Sequence, residues 1–405
     1  MKNFSLSFLC MFGLGACCCC RGAAPAEQPA TQTAGPQGPM KTAKVEEPAQ
    51  PPAAVKSANR NRTADQEAAR PHRAAAPIDP AHLRTARTDA LEWLAAHQRD
   101  DGSWEGEGNA KVNKVGLTGL ALLALQSDGS TTSSGAHARS VARGIDWLVS
   151  QQEADLGVVG PRTGHSFGYD HAIATQAMCI ALRAAPDEKL RRASQNAVNF
   201  ITRMRNPYGA WRYSYPPTGD SDTSVTGWMV EALIAAQAAG LSIDPEAYVG
   251  AKQWIDDVTD PATARIGYDT IGSSSSRVTG LNDQFPTDQH EAMTASGMVT
   301  RLNTGTPADP MLPRHALLLQ KHPPEWDPQS NLVDEYYWYF GSIAMHRLGG
   351  NSWDTWRGSA QEALLTGQQQ SGEGKGSWDP VGPWAFAGGR VYATSLNALS
   401  LSTML

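Results

Sequence analysis

The chain has 405 residues and a formal net charge of −6, which argues against nucleic acid as a partner, since such a partner selects a basic surface. Residues 21–78 are dominated by Ala, Pro, Gln, Thr, Lys and Glu and hold almost no large apolar side chains. That composition cannot bury enough surface to offset its ordering entropy, which leaves about 325 residues to build one large core.

In chain order, Lys2 is followed by the apolar run Phe4 to Leu14 and then by small residues. The run is too short to span a bilayer, so residues 1–16 read as a secretory signal peptide. Leu14-Gly15-Ala16-Cys17 resembles a bacterial lipobox, which implies that Cys17 carries lipid and begins the mature chain. Residues 17–78 then read as the lipidated end and a disordered tether, and residues 79–405 as the folded domain. The expected location is the bacterial cell envelope, with the membrane as a partner through the N-terminal lipid. Beyond residue 20 the only cysteine is Cys179, so the domain has no internal disulfide and depends on packing.

The folded part repeats one unit. Trp93, Trp147, Phe200 and Trp254 stand in similar contexts at spacings of 54, 53 and 54 residues. A weaker copy surrounds Leu317 to Gln320, and the last contains Leu364-Leu365 and Gln369. Each aromatic helix is followed by a second apolar helix. Thr118 to Leu125, Thr175 to Leu182, Thr226 to Leu233 and Thr394 to Leu401 share one frame, with looser members at 292–302 and 338–348. These second helices are apolar almost all round and should be buried, whereas the first are amphipathic. Neither the first unit nor the last carries the polar face that ends an open solenoid. The expectation is an all-α, α/α toroid: six helix hairpins closed into an inner and an outer ring.

The run Arg143-Gly144-x-x-Trp147-Leu148-x-x-x-Gln152, together with Gln98-x-x-x-Gly102-x-Trp104, resembles the QW motif of the squalene-hopene and oxidosqualene cyclases. Residues 80–405 are similar to bacterial prenyltransferase and squalene oxidase repeat proteins of the terpenoid cyclase and protein prenyltransferase superfamily. This resemblance implies the toroid and an isoprenoid-type ligand. The cyclase acid motif Asp-x-Asp-Asp-Thr corresponds to Gly219-Asp220-Ser221-Asp222-Thr223, so Ser221 replaces the protonating residue. Asp222, or a displaced Asp220, is left as the candidate acid. Cys179 falls inside a helix, so the prenyltransferase zinc set is not reproduced, and no cofactor is expected.

Four residues before the shared threonine stand Lys114, His171, Asp222, His290 and Arg390, and in the fifth unit, whose register is looser, the place falls at Glu335 or a neighbour. Helical periodicity puts this position near the start of each inner helix. In a closed toroid the six would ring one mouth. Aspartate there is a common N-cap, but cations are unfavourable at that end of a helix and call for a partner. A ligand could satisfy them, and a metal on His171, Asp222, His290 and Glu335 is the sharper alternative, although no local ligand spacing supports it. Trp211, Tyr213, Trp228, Tyr336, Trp384 and Tyr392 fall on the same side and could line a ligand site, while Trp104 and Trp378 read as structural plugs. Residues 266–287 form a long Gly/Ser-rich connection over this mouth, either a lid or an insertion. The leading functional expectation is a membrane-anchored binder of an apolar, isoprenoid-like ligand or of an envelope protein. A terpene cyclase or prenyltransferase with a displaced acid, and a carbohydrate-active toroid, are the alternatives.

Overall fold

The computed structural model describes residues 78–405 apart from Tyr208 and Pro307, and the signal peptide, Cys17 and the tether lie outside the described residues. Among the described residues no helix is long and apolar enough to cross a membrane. The outer helices are α1 (Pro80–Ala96), α3 (Ala138–Ser150), α5 (Glu188–Met204), α7 (Glu246–Asp257), α9 (Met311–Lys321) and α11 (Gly350–Gly367). The inner helices are α2 (Lys114–Gln126), α4 (Phe167–Ala184), α6 (Thr223–Ala238), α8 (Ala292–Thr304), α10 (Glu335–Leu348) and α12 (Ala385–Ser402).

Sequence pattern explains the alternation. In α2 every residue from Val115 to Gln126 is buried, whereas α3 buries only Val141, Gly144, Ile145 and Leu148. The inner helices pack in the order α2, α4, α6, α8, α10, α12 and back to α2, and α1 packs on both α12 and α11. The ring is therefore closed, and the protein is an α/α toroid.

A recurring set of bonds holds each junction. Trp104, Trp211 and Trp378 are fully buried in the turns after outer helices. Their indole N–H groups donate to Leu94 O, Ile201 O and Leu364 O at 2.7–2.8 Å. Their backbone N–H groups donate to Thr118, Thr226 and Thr394 Oγ1 at 2.9–3.3 Å, which explains the shared threonine frame. Side-chain amides then tie one outer helix to the next. Gln98 Nε2 donates to Gly102 O and Ser140 O, and Gln152 Nε2 to Gly157 O and Ala193 O, all at 2.8–2.9 Å. In the last unit Gln368 has this role, rather than Gln369, donating to Gly376 O at 2.9 Å and to Ala86 O of the first helix at 2.7 Å. Gly376 (φ 88°) packs so tightly on α1 that a Cβ there would overlap Asp89 O.

Gln368→Leu leaves two carbonyls without their donor at the closing junction. The expected loss is about 1–3 kcal/mol in denaturant unfolding, with faster hydrogen exchange in α1 and α12 than in α6.

Candidate functional site

The inner-helix N-termini share one rim, but the six residues of the expected ring do not act as one set there. Lys114 Nζ pairs with Asp101 (3.1 Å) and Glu105 (3.7 Å) and lies 5.5 Å from the centre of the Trp147 ring. Arg390 donates to Asp379 Oδ1 at 2.5 Å and to Ser377 Oγ at 3.0 Å. Each base thus finds its counterion in its own repeat's turn. His171 is fully buried: Nδ1 accepts from Val159 N at 3.0 Å and Nε2 faces Ala197 O at 3.1 Å. That fixes a neutral ring in the structural place that threonine fills in other units, and burial holds its pKa down to about 4. Among the described residues no group of three His, Cys, Asp or Glu side chains could hold a metal ion, so the four-residue metal set is not assembled.

What does assemble is a cluster of buried acids and tyrosines at the starts of α4, α6 and α10. Asp222 is the N-cap of α6, with Oδ1 accepting from Val225 N (2.8 Å) and Ser224 Oγ (2.7 Å). Its Oδ2 is buried with no hydrogen-bond partner, and the nearest guanidinium atom, Arg212 Nε, is 3.9 Å away. Burial pushes the Asp222 pKa up to about 6, against the pull of the capping bonds and Arg212. Tyr169 OH lies 2.7 Å from Ser224 Oγ, extending a hydroxyl chain away from the carboxyl. Arg212 stacks 5.2 Å from the Tyr213 ring and 5.8 Å from the Tyr268 ring.

At the start of α10, the neighbour Asp334 takes the N-cap position that Asp222 takes in α6. It caps the helix through Tyr337 N at 3.0 Å, and its Oδ2 is again buried and unpartnered. Glu335 is buried beside it, pressed against Gly382, and burial pushes its pKa up to about 8. Desolvation raises the hydroxyl pKa values of Tyr169, Tyr336 and Tyr392, so all three remain protonated donors. A buried carboxyl with an unsatisfied oxygen and a pKa near neutrality, set among hydroxyl donors, is equipped to carry a proton to a bound ligand.

The long connection covers these acids. Its start is sewn to α6 through Thr223 Oγ1 donating to Gly267 O (2.6 Å) and Thr223 N donating to Tyr268 O (2.9 Å). Further on, Arg277 donates to His290 Nε2 and lies 4.0 Å from Asp334 Oδ2, while His290 Nδ1 is 3.8 Å from the same oxygen. Burial lowers the His290 pKa, which keeps the ring neutral beneath the arginine. Ile271, Val278 and Leu281 stay exposed on the outside of this cover.

The remaining candidates separate. Asp220 is exposed, and Ser221 is buried with its Oγ 3.3 Å from Asn206 Nδ2. Trp211 is a buried plug of the turn and not a ligand-facing residue. Trp228 is buried at the axis, stacked on Tyr339 (5.5 Å, 15°) and edge-on to Phe340, which packs 4.7 Å from Tyr336. The axis is therefore filled with rings. Tyr213 and Tyr392 remain half-buried at the rim, and Trp384 lies beside Phe386. Sequence reasoning missed Tyr169, Arg212, Tyr268 and Arg277 because loops deliver most of them outside the repeat register. The only available signal was the length of the connection that carries Tyr268 and Arg277.

No protein-family model and no curated protein matches the sequence. Solved structures do match the fold. Unsaturated glucuronyl hydrolase from Bacillus sp. GL1, responsible for glycosaminoglycan degradation, aligns at TM-score 0.54 and 14% identity, covering 79% of this chain and 96% of that one. An inactive variant of the α-1,6-mannanase of Salegentibacter sp. HEL1_6, in complex with α-1,6-mannotriose, gives 0.53 and 10%, covering 79% and 98%. A type II terpene cyclase from Scytonema gives 0.49 and 12%, covering 80% and 96%, a likeness too loose to carry an argument. The first two likenesses show the α/α-toroid fold and nothing finer.

Ionising Asp222 in its buried site costs stability as pH rises from its ordinary value of 3.8 through about 6. An asparagine in its place keeps the capping oxygen without the charge. Asp222→Asn should therefore exceed wild type by on the order of 1–3 kcal/mol at pH 8, with the gap closing near pH 4, in denaturant unfolding at the two pH values.

Proposed function

We propose that the protein is a carbohydrate-active toroid that receives a hydroxyl-rich ligand at the axial mouth, with Asp222 as the proton-carrying group. The observation that carries this reading is the buried, unpartnered Asp222 Oδ2 beside Ser224, Tyr169 and Arg212. Hydroxyl, phenol and guanidinium groups around a protonatable carboxyl suit a ligand rich in oxygen. The mannanase and glucuronyl hydrolase likenesses agree with that chemistry. The isoprenoid reading and its prenyltransferase and squalene oxidase family assignment receive less support. Rings of Trp228, Tyr336, Tyr339 and Phe340 occupy the axis where an apolar chain would lie, and Ser221 stands where a cyclase acid is needed.

Asp222 is fully buried, so the ligand reaches it only when the 266–290 cover moves, and the bonds of Thr223 to Gly267 and Tyr268 and the Arg277–Asp334 pair are the contacts to release. The working experiment incubates the full-length protein with α-1,6-mannotriose and with unsaturated glucuronyl disaccharides and follows products by chromatography. Turnover of either should fall about 10²-fold or more in a folded Asp222→Asn variant. No turnover of either substrate by wild type, or full turnover by the variant, rejects Asp222 as the acid.

The same proposal places the protein on a membrane through lipid on Cys17. Outer and inner helices run in opposite directions, as the bonds joining the end of α1 to the start of α2 through Trp104 require. α1 therefore begins, at Pro80, on the rim opposite Asp222. Cys17→Ser should move the protein from the membrane fraction to the soluble fraction and abolish incorporation of labelled palmitate. Retention in the membrane fraction by that variant removes the anchor.

A further inference from the structure

We propose that the seam between the first and last repeats is a second ligand site, separate from Asp222, which takes a neutral short oligosaccharide. A cleft of about 480 Å³ opens there, lined by Trp93, His97, Arg99, Glu105, Glu107, Lys111, Glu373 and Arg390 among others. That volume falls within the range of about 300–1,000 Å³ typical of small-ligand sites.

The cleft exists because this junction departs from its neighbour. At the junction of the first and second repeats, Lys114 covers the outer-helix ring of Trp147. The equivalent base at the seam, Arg390, likewise binds an acid of its own turn, Asp379, and Ser377, but does not lie over the Trp93 ring as Lys114 lies over Trp147. One face of Trp93 is stacked by His97 (3.9 Å, 21°), and its N–H donates to Glu373 O at 3.2 Å. Trp93 is buried, and an edge of its ring reaches the cleft. The backbone holds the walls apart: Gly389, at φ 58°, breaks α12, and the turn before it is tied to the 108–113 segment through Asn113 Nδ2 donating to Ala387 O at 2.6 Å. A Cβ at Gly389 would sit 3.3 Å from Glu107 N, in a conformation that side-chain-bearing residues rarely adopt.

Charge selects the ligand class. Three bases (Arg99, Lys111, Arg390) face three acids (Glu105, Glu107, Glu373), so the cleft has no net pull on an ion of either sign. Glu105 is already paired with Arg99 (3.4 Å), Lys111 (3.8 Å) and Lys114 (3.7 Å), and Arg390 with Asp379. What this lining offers is a dense set of donors and acceptors beside the edge of an indole, which matches the hydroxyls of a sugar. This inference deepens the carbohydrate reading, yet it does not use Asp222.

Calorimetric titration of the full-length protein tests it, with α-1,6-mannotriose, maltotriose and chitotriose as neutral probes, a heparin disaccharide as the anion and spermidine as the cation. Glu107 and Glu373 are exposed, so Glu107→Gln with Glu373→Gln leaves the fold intact. At least one neutral probe should bind, its affinity should fall about tenfold or more in that double variant, and Asp222→Asn should leave it unchanged. Three results overturn the site: no neutral probe binds, only a charged probe binds, or neutral binding survives the double variant. Neutral binding lost in Asp222→Asn but kept in the double variant also rejects the seam while supporting the axial site. Seam binding without any turnover rejects the axial reading alone.

Discussion

The toroid depends on how the turn after each outer helix satisfies carbonyls that no helix can serve. A single glutamine amide resolves this twice over, giving one N–H to its own turn and the other to the next outer helix. Gln98 and Gln152 do this between neighbours in sequence, and Gln368 does it across 282 residues to Ala86. Closure is therefore one more copy of the same bond and needs no special device. A buried carbonyl left without its donor costs more than the bond is worth in isolation, so each junction is held in one register. Where the glutamine is missing, other groups meet the same demand. Arg314 donates to Pro261 O and Ala262 O, and His315 Nδ1 bonds Ala264 O at 2.7 Å.

Closing the ring gathers six inner-helix N-termini at one rim, where the helix dipoles favour negative charge. Acids accept that invitation in three places: Asp222 and Asp334 cap their own helices, and Asp170 presses against Gly116 at the start of α2. Yet burial opposes them, raising Asp170 to about 7, Asp222 to about 6 and Glu335 to about 8. Unsatisfied oxygens in a well-packed body are a local departure from the rule that buried polar groups are paired. Such departures concentrate where a protein does its work. The neutral histidines pull the other way. His171 and His315, held at about 4, cost stability as pH falls below their ordinary 6.5, so acids and histidines together confine the fold to an intermediate pH range.

The mouth and the seam solve access differently. At the mouth, a connection wraps over the acids, is held near α10 by Arg277 and keeps Asp222 from solvent. At the seam, a broken helix keeps a cleft open without motion. Both arise from segments that leave the repeat: the connection that carries Tyr268 and Arg277, and the extra turn of α12 ahead of Gly389.

Much of the fold was legible in the sequence, because the repeat is written in apolar positions whose burial the fold must satisfy. The spacing of Trp93, Trp147, Phe200 and Trp254, the threonine frame and the uncapped ends lead to a closed double ring, and the structure has it. Position in the repeat also located the rim. It did not determine what each side chain does there, since register places a Cα while partners orient the side chain. Lys114 and Arg390 turn to acids in their own repeats, His171 stands in for a threonine, and Trp211 plugs a turn. Asp222, His290 and the Asp334–Glu335 pair face the mouth because Arg212, Tyr268 and Arg277 arrive from loops that obey no repeat. A periodic sequence thus determined the scaffold by itself, whereas only tertiary structure, through contacts between residues with no fixed spacing, decided which of the rim residues form a site.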